Sequence, residues 1–366
     1  MTSAWKRQRA LCVDDDQAVE SWINPDGDAF DLPAKYGNPL DIVALKSNIV
    51  ANFEGQIDSV RESRVELYRG DRVEPVRNCP TCEVSSERAE YQFSIYGARY
   101  NQCQDCGHVF VSPRPKTEAV DEYYAKSAVY SSTYTDVPSA MQRVAQIGAP
   151  RVRWVIETFE ARFGRRPEYV LDVGAGGGHF VRACHETGLR AAGVEISAPS
   201  RSFAYDHFGI ELIDQDFTTD FDFGQPDIIT FWGVLEHVTR PSSFVEAAVR
   251  RLGRDGLAVA AVPRWNCLDT GTQSVFNDSV VRHLDPLGHI SCFSDNSLVH
   301  LFSRFQLDPV AVWYFGMDAY ELLMQCGLRS DDPELFDRVK TAIPTLQTAI
   351  DRGVLSDEIA LAVAPR

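Results

Sequence analysis

The 366-residue chain has no run of about 18 consecutive apolar residues, so a membrane-spanning helix is not expected. It is short of positive charge: 36 Lys and Arg stand against 52 Asp and Glu, a formal net charge of −16. Such a field repels phosphate backbones and anionic lipid surfaces, so neither nucleic acid nor membrane is an expected partner. The opening "MTSAWKRQRALCVDDD" carries basic residues followed by acids rather than an apolar core. It lacks the pattern of a secretory signal, and the expected location is cytoplasmic. There is no internal repeat, no low-complexity tract and no Gly-Lys-Ser/Thr phosphate loop. The cysteines are nine, an odd number. Cys79, Cys82, Cys103 and Cys106 cluster, whereas Cys12, Cys184, Cys267, Cys292 and Cys326 scatter through apolar surroundings. That distribution excludes a disulfide framework and implies one metal site plus reduced thiols.

What is present is an ordinary globular composition, 44% hydrophobic and 24% charged, long enough for two or three compact units. Residues 1–37, rich in Asp, Pro and Gly, predict irregular structure. From Asn38, a good N-cap, and Pro39, suited to a first turn, apolar residues recur at three- and four-residue spacing to about Tyr68. The stripe of this amphipathic helix follows a heptad with Lys46 and Arg64 at two seam positions. It can cover the core of its own domain or mediate a homodimer. The N-terminal extension is therefore drawn at 1–73, a cysteine module at 74–112, a mainly helical linker or lid at 113–168, and a β/α domain at 169–366 with a helical insertion at about 316–356. In the last of these, "YVLDVG", "RAAGVEI", "IELIDQD", "PDIITFW", "GLAVAAVP", "QLDPVAVWYF" and "EIALAVAP" predict seven strands. Helices of about ten residues separate the earlier ones, the mark of a mostly parallel, doubly wound α/β sheet covered on both faces.

"CPTC", twenty residues and "CQDCG" give C-x₂-C-x₂₀-C-x₂-C. Each knuckle turns two sulfurs toward one point, and Cys79, Cys82, Cys103 and Cys106 together complete a tetrahedral thiolate set for Zn²⁺ with no open position, a structural site in a small zinc-ribbon module. A redox dithiol is the alternative.

"LDVGAGGGHF" places four glycines in the five positions 174–178, directly after a strand that ends in an acid. Glycine lets the chain reverse with positive φ and lets a ligand approach bare backbone. The spacing D-x-G-x-G-x-G departs from the G-x-G-x-x-G of dinucleotide folds, since residue 179 is His. An acid beside such a turn can face a cation instead. "VLDVGAGGGHF", "GVEIS", "DQDF" and "DIITFWGVLEHV" followed by "LGRDGLAVAAVPRWN" resemble the successive motifs of class I S-adenosylmethionine-dependent methyltransferases over roughly residues 169–266, with a Rossmann-like sheet. The resemblance implies that Asp172 and the backbone of Gly174, Gly176 and Gly178 hold the methionine moiety and that Glu195 accepts the ribose hydroxyls. It also implies that Asp216 takes the adenine amino group, that Ile196 and Phe217 flank the ring, and that Trp232 lines the same pocket. A cysteine module continuing through "GHVFVSPRP" and "EYY" is similar to bacterial sugar C-methyltransferases of antibiotic biosynthesis, which act on deoxysugars attached to nucleoside diphosphates.

An oxygen or carbon acceptor must also lose a proton. In "WGVLEHV", at the carboxyl edge of the sheet, His237 has a suitable intrinsic pKa and Glu236 adjoins it; His237 is the first candidate base, with an N-cap or packing role as the alternative. His289, in the "H-x-x-x-F" phrase beside His283, is another candidate. Tyr123 and Tyr124 can fold over the cofactor or pack at a surface, and Trp313, Tyr314 and Tyr320 can wall an acceptor site or pack in the core. The expectation is a methyltransferase using S-adenosylmethionine and structural Zn²⁺ on a small, sugar-like acceptor; an RNA or protein methyltransferase and a non-catalytic scaffold are the rivals.

Overall fold

The computed structural model describes residues 5–8, 17–46, 58, 62, 68, 70–126, 135–276, 282–285, 288–332 and 334–366. The chain divides into two compact units that interleave in sequence. One comprises residues 1–116, 262–300 and 312–360; the other comprises 117–261, 301–311 and 361–366. Among the described residues no helix is long and apolar enough to cross a membrane.

The second unit is built on parallel strands whose residues are apolar on both faces. Tyr169–Val173, Ile228–Trp232 and Leu257–Pro263 are buried throughout, as strands covered on both sides must be. The spatial order of the parallel strands is Arg190–Val194, Tyr169–Val173, Ile228–Trp232, Leu257–Pro263. Glu358–Pro365 and then Leu307–Phe315 follow. The chain leaves Tyr169–Val173 toward one edge and returns to its other side, so a topological switch point lies at the carboxyl ends of Tyr169–Val173 and Ile228–Trp232, where α/β sheets place their ligands.

Six of the seven expected strands form. The segment "IELIDQD" contributes only a bridge: Ile213 pairs with Val194, donating to the Gly193 carbonyl at 2.8 Å and accepting from the Glu195 N–H at 3.0 Å. Beyond it Asp214 turns out to Arg201 (2.6 Å), and Asp216 accepts from the Thr218 N–H and hydroxyl at 2.8 Å each, a local turn that competes with the ladder.

In the first unit the expected irregularity of residues 1–37 is corrected. Gln17–Ile23 and Ala29–Tyr36 form an antiparallel hairpin, and Lys6–Gln8 pairs with its outer strand. The hairpin's polarity is inverted: Val19 is 60% exposed, whereas Glu20 is fully buried. Glu20 is satisfied by the indole N–H of Trp22 (3.0 Å) and the hydroxyls of Tyr36 (2.9 Å) and Tyr314 (3.2 Å), with Arg7 at 3.7 Å. A buried acid with this many donors replaces the apolar side chain that strand patterning looks for.

The predicted helix from Asn38 begins later. Asp41 is the N-cap, accepting the Ala44 N–H at 3.1 Å, and Ile42–Leu45 is the first helical turn, with Asp58 and Glu62 also helical further on; a carboxylate suits a helix N-terminus better than an amide three residues earlier. Residues 47–57, 59–61, 63–67 and 69 of that prediction, Arg64 included, lie outside the described residues. The start of the stripe covers its own unit: Leu40, Ile42 and Val43 pack with Ala319, Tyr320, Met324 and Ile343. Lys46 pairs with Glu321 at 2.9 Å. Of the two expected roles of Trp313, Tyr314 and Tyr320, burial supports core packing: Trp313 and Tyr314 are fully buried and Tyr320 is 2% exposed.

Candidate active site

The cysteine cluster sits at one end of a four-stranded antiparallel sheet in the first unit, with strand order Ser291–Cys292, Val109–Val111, Ala98–Cys103, Ala89–Ile95. Both knuckles repeat one hydrogen-bond pattern. The Cys79 N–H donates to Val84 and its carbonyl accepts from Glu83; the Cys103 N–H donates to His108 and its carbonyl accepts from Gly107. The fifth residue of each turn, Glu83 or Gly107, has positive φ (62° and 76°). The sulfurs of Cys79 and Cys106, and of Cys82 and Cys103, lie 3.6 Å apart, and all four fall within 4.8 Å of one another. Tetrahedral ligands at a Zn–S distance of about 2.3 Å are separated by roughly 3.8 Å, so the donor set fits a four-thiolate ion. The contacts among the four sulfurs pull the Cys103 and Cys82 thiols down and push Cys79 and Cys106 up, so the protons of the set are shared rather than held equally.

In the second unit a cavity of about 500 Å³ opens at the switch point of the sheet. Val173 and Gly174 line it from the first strand's exit, Glu195 and Ile196 from the second's, Gly233, Val234 and His237 from the third's, and Asp216 and Phe217 from the segment after the Ile213 bridge. At Gly174 (φ 72°) a Cβ would come within 2.6 Å of Val234 Cγ2, so only glycine fits this wall. Glu195 is 4% exposed. Its two oxygens accept from the Gly176 N–H at 2.8 Å and the Ser197 N–H at 2.7 Å, closing the glycine turn onto the neighbouring strand. Burial raises the Glu195 carboxyl against these hydrogen bonds. Asp172 is not among the residues lining the cavity and is 2% exposed; burial pushes it up to about 7, opposed by the Thr230 hydroxyl, which donates to it at 2.7 Å. Gly178 (φ 78°) packs against the next helix, where a Cβ would meet Ala204 Cβ at 3.1 Å. Ile196 is 41% exposed and Phe217 is buried among Phe223, Phe231 and Phe244.

Trp232 does not line the cavity. Strand alternation turns it to the opposite face, against Phe180 at 5.5 Å between ring centres and beneath the Arg151 guanidinium at 4.5 Å. His289 belongs to the first unit, where its Nδ1 lies 2.7 Å from the His283 carbonyl.

Sequence reasoning missed most of one wall. The helix Thr117–Lys126 presents Thr117, Val120, Asp121, Tyr124 and Ala125 to the cavity, positions that share one helical face. Two hydrogen bonds hold this face to the loop after the third strand: Thr117 Oγ1 to Thr239 Oγ1 (2.9 Å) and Tyr124 Oη to His237 Nδ1 (2.8 Å). The i, i+3, i+4, i+7, i+8 spacing in "TEAVDEYYA" was the available signal. It was obscured because the face mixes polar with apolar groups, as a cavity wall does. Burial raises Asp121, with Asp216 and Glu118 adding repulsion.

Residues 150–312 match a family model described as a methyltransferase domain. This segment, somewhat under half of the chain, is what the chain shares with methyltransferase domains. Its similar relatives include a protein named ubiquinone biosynthesis O-methyltransferase from Bordetella avium, 29% identical over 143 residues, covering 37% of this chain and 57% of the relative. One of the same name from Erwinia tasmaniensis is 28% identical over 133 residues, covering 34% and 54%. The chain thus spans little more than half the length of the curated relatives it matches. A solved structure of the plantazolicin methyltransferase BpumL in complex with SAH aligns with a TM-score of 0.45 at 12% identity, covering 68% of this chain and 95% of that one. The matched segment, residues 150–312, contains the glycine turn, Glu195, Asp216 and the Glu236–His237 pair; the helix bearing Tyr124 precedes it.

Proposed function

We propose that the protein is an S-adenosylmethionine-dependent methyltransferase acting on a small molecule, with the cavity of the second unit as its active site and the four cysteines as a structural zinc site. The observation that carries the reading is Glu195: a buried carboxylate at the cavity wall that braces a glycine-lined turn and still has lone pairs for vicinal hydroxyls. The residues fit the cofactor. Bare backbone at Gly174 admits it, Asp172 and Glu195 complement its positive charge, Ile196 and Phe217 offer apolar surface to the base, and Asp216 can accept from an exocyclic amine. The bound cofactor would supply an electrophilic methyl group; the chain's part is to align an acceptor with it, exclude water and remove a proton. The acidic balance of the chain disfavours RNA as the acceptor. The sequence resemblance supports a nucleotide-linked or otherwise activated sugar methylated at carbon or oxygen, and the names of the curated relatives favour oxygen.

Calorimetry with S-adenosylmethionine tests the reading. The full chain is expected to bind one equivalent, and Glu195→Gln to bind about 10- to 100-fold more weakly, since hydrogen bonds to a charged group contribute about 1.5–3 kcal/mol. Unchanged affinity in a variant with wild-type circular dichroism would remove Glu195 from the cofactor site. No binding by the well-folded parent chain would end the proposal.

A further inference from the structure

Both ring nitrogens of His237 have a defined neighbour. Nδ1 lies 2.8 Å from the Tyr124 hydroxyl, and Nε2 lies 3.7 Å from Oε1 of Glu236, which is 3% exposed. A neutral imidazole carries one N–H. With Glu236 ionised, its carboxylate attracts an N–H on Nε2 and repels a lone pair there, which favours the Nε2–H tautomer. Nδ1 is then the lone-pair nitrogen, and the Tyr124 O–H donates to it. A ring nitrogen occupied in this way is not open to an acceptor, whereas Tyr124 itself lines the cavity.

Resting on the methyl-transfer reading, we propose that Tyr124, His237 and Glu236 form a proton relay in which the Tyr124 oxygen, not a nitrogen of His237, takes the acceptor's proton. As the acceptor's proton passes to the Tyr124 oxygen, the phenolic proton passes to Nδ1. The electron pair left on the acceptor attacks the sulfonium methyl; the carbon–sulfur bond breaks and its pair stays on sulfur as a neutral thioether. The positive charge ends on the His237 imidazolium, whose Nε2–H faces the Glu236 carboxylate, and the proton is later released to water. The relay removes the main objection to tyrosine as a base. A phenol of pKa about 10 is roughly one part in a thousand ionised at pH 7, a cost of about 4 kcal/mol, and concerted transfer to imidazole avoids forming free phenolate.

The placement is fixed rather than incidental. Tyr124 is 7% exposed and its ring packs on His237 at 5.2 Å between centres, while Thr117 anchors the other end of the same helical face to Thr239.

The test uses nitrogen NMR of the full chain with ¹⁵N-imidazole histidine, His237 being assigned by the signal lost in His237→Gln. The neutral ring is expected to carry its proton on Nε2, with Nδ1 shifted upfield as a hydrogen-bond acceptor. Tyr124→Phe is expected to move Nδ1 downfield and to raise the His237 pKa, because a donor that favoured the neutral ring has gone. A proton on Nδ1 in the parent chain would overturn the relay, as it makes Tyr124 the acceptor and frees Nε2 to act as base. An Nδ1 resonance unmoved by Tyr124→Phe would overturn it equally. Titration with S-adenosylhomocysteine runs alongside: failure of that ligand to bind either protein would count against the methyl-transfer reading, whereas binding with the wrong tautomer would count against the relay alone.

Discussion

Cys79→Ser is expected to yield a chain without bound zinc and with little soluble, folded material. Zinc held by four thiolates contributes an apparent 10–16 kcal/mol, of the order of the whole net stability of a folded domain, about 5–15 kcal/mol. Cys79 is 1% exposed and shares its core with Val76, Cys103, Cys106 and Phe110, so three of the five buried residues of this cluster are themselves thiols of the site. A serine hydroxyl is shorter, harder and neutral, and leaves three thiolates repelling one another. Metal content by atomic emission and the melting temperature check the outcome. A zinc-free variant that melts with the parent chain would remove the structural role, and a parent chain that purifies without zinc would remove the site.

Asp172→Asn is expected to flatten the dependence of stability on pH. In the folded chain burial pushes Asp172 up to about 7, above its ordinary 3.8, so the folded state keeps a proton that the unfolded state has released. Its contribution is complete below about pH 4 and is lost as pH rises through about 7, making the parent chain progressively less stable across that window. The span from 3.8 to about 7 bounds the effect at about 4 kcal/mol. Glu195, also raised, adds a slope of the same sign, so the measurement is the difference between the parent and Asp172→Asn in urea unfolding at several pH values. Equal slopes would mean that Asp172 is already ionised. A cationic cofactor favours the carboxylate, so binding near pH 7 is expected to release a proton. Calorimetry in buffers of different ionisation heat would detect it in the parent chain and not in the variant.

The parts of the fold legible in the sequence are those in which one residue type has one use. Four glycines after an acid-ended strand have few structural explanations, and paired C-x₂-C knuckles have fewer; the expected turn at 174–178 and the convergence of four sulfurs both appear. Less legible were segments whose buried side chains are polar. Glu20 and Trp22 face inward while Val19 faces out, so hydrophobic alternation pointed the wrong way and the hairpin was expected to be irregular. Asp214 and Asp216 drew "IELIDQD" out of the ladder through side-chain bonds that strand propensity does not contain. Trp232 sits on the correct strand, but the face on which each residue emerges depends on a register fixed by distant pairing. Tyr124 and His237 are 113 residues apart in sequence, and only the packing of the helix Thr117–Lys126 brings their polar atoms together.

The brace at Glu195 has a kinetic consequence. Because both of its oxygens are held by N–H groups of the same chain, the glycine turn acquires its shape when the protein folds. The competent fraction is then close to one, and no affinity is surrendered to selecting a rare conformer. Association in stopped flow should accordingly follow a single exponential whose rate rises linearly with nucleoside concentration, without the plateau that a slow isomerisation would impose.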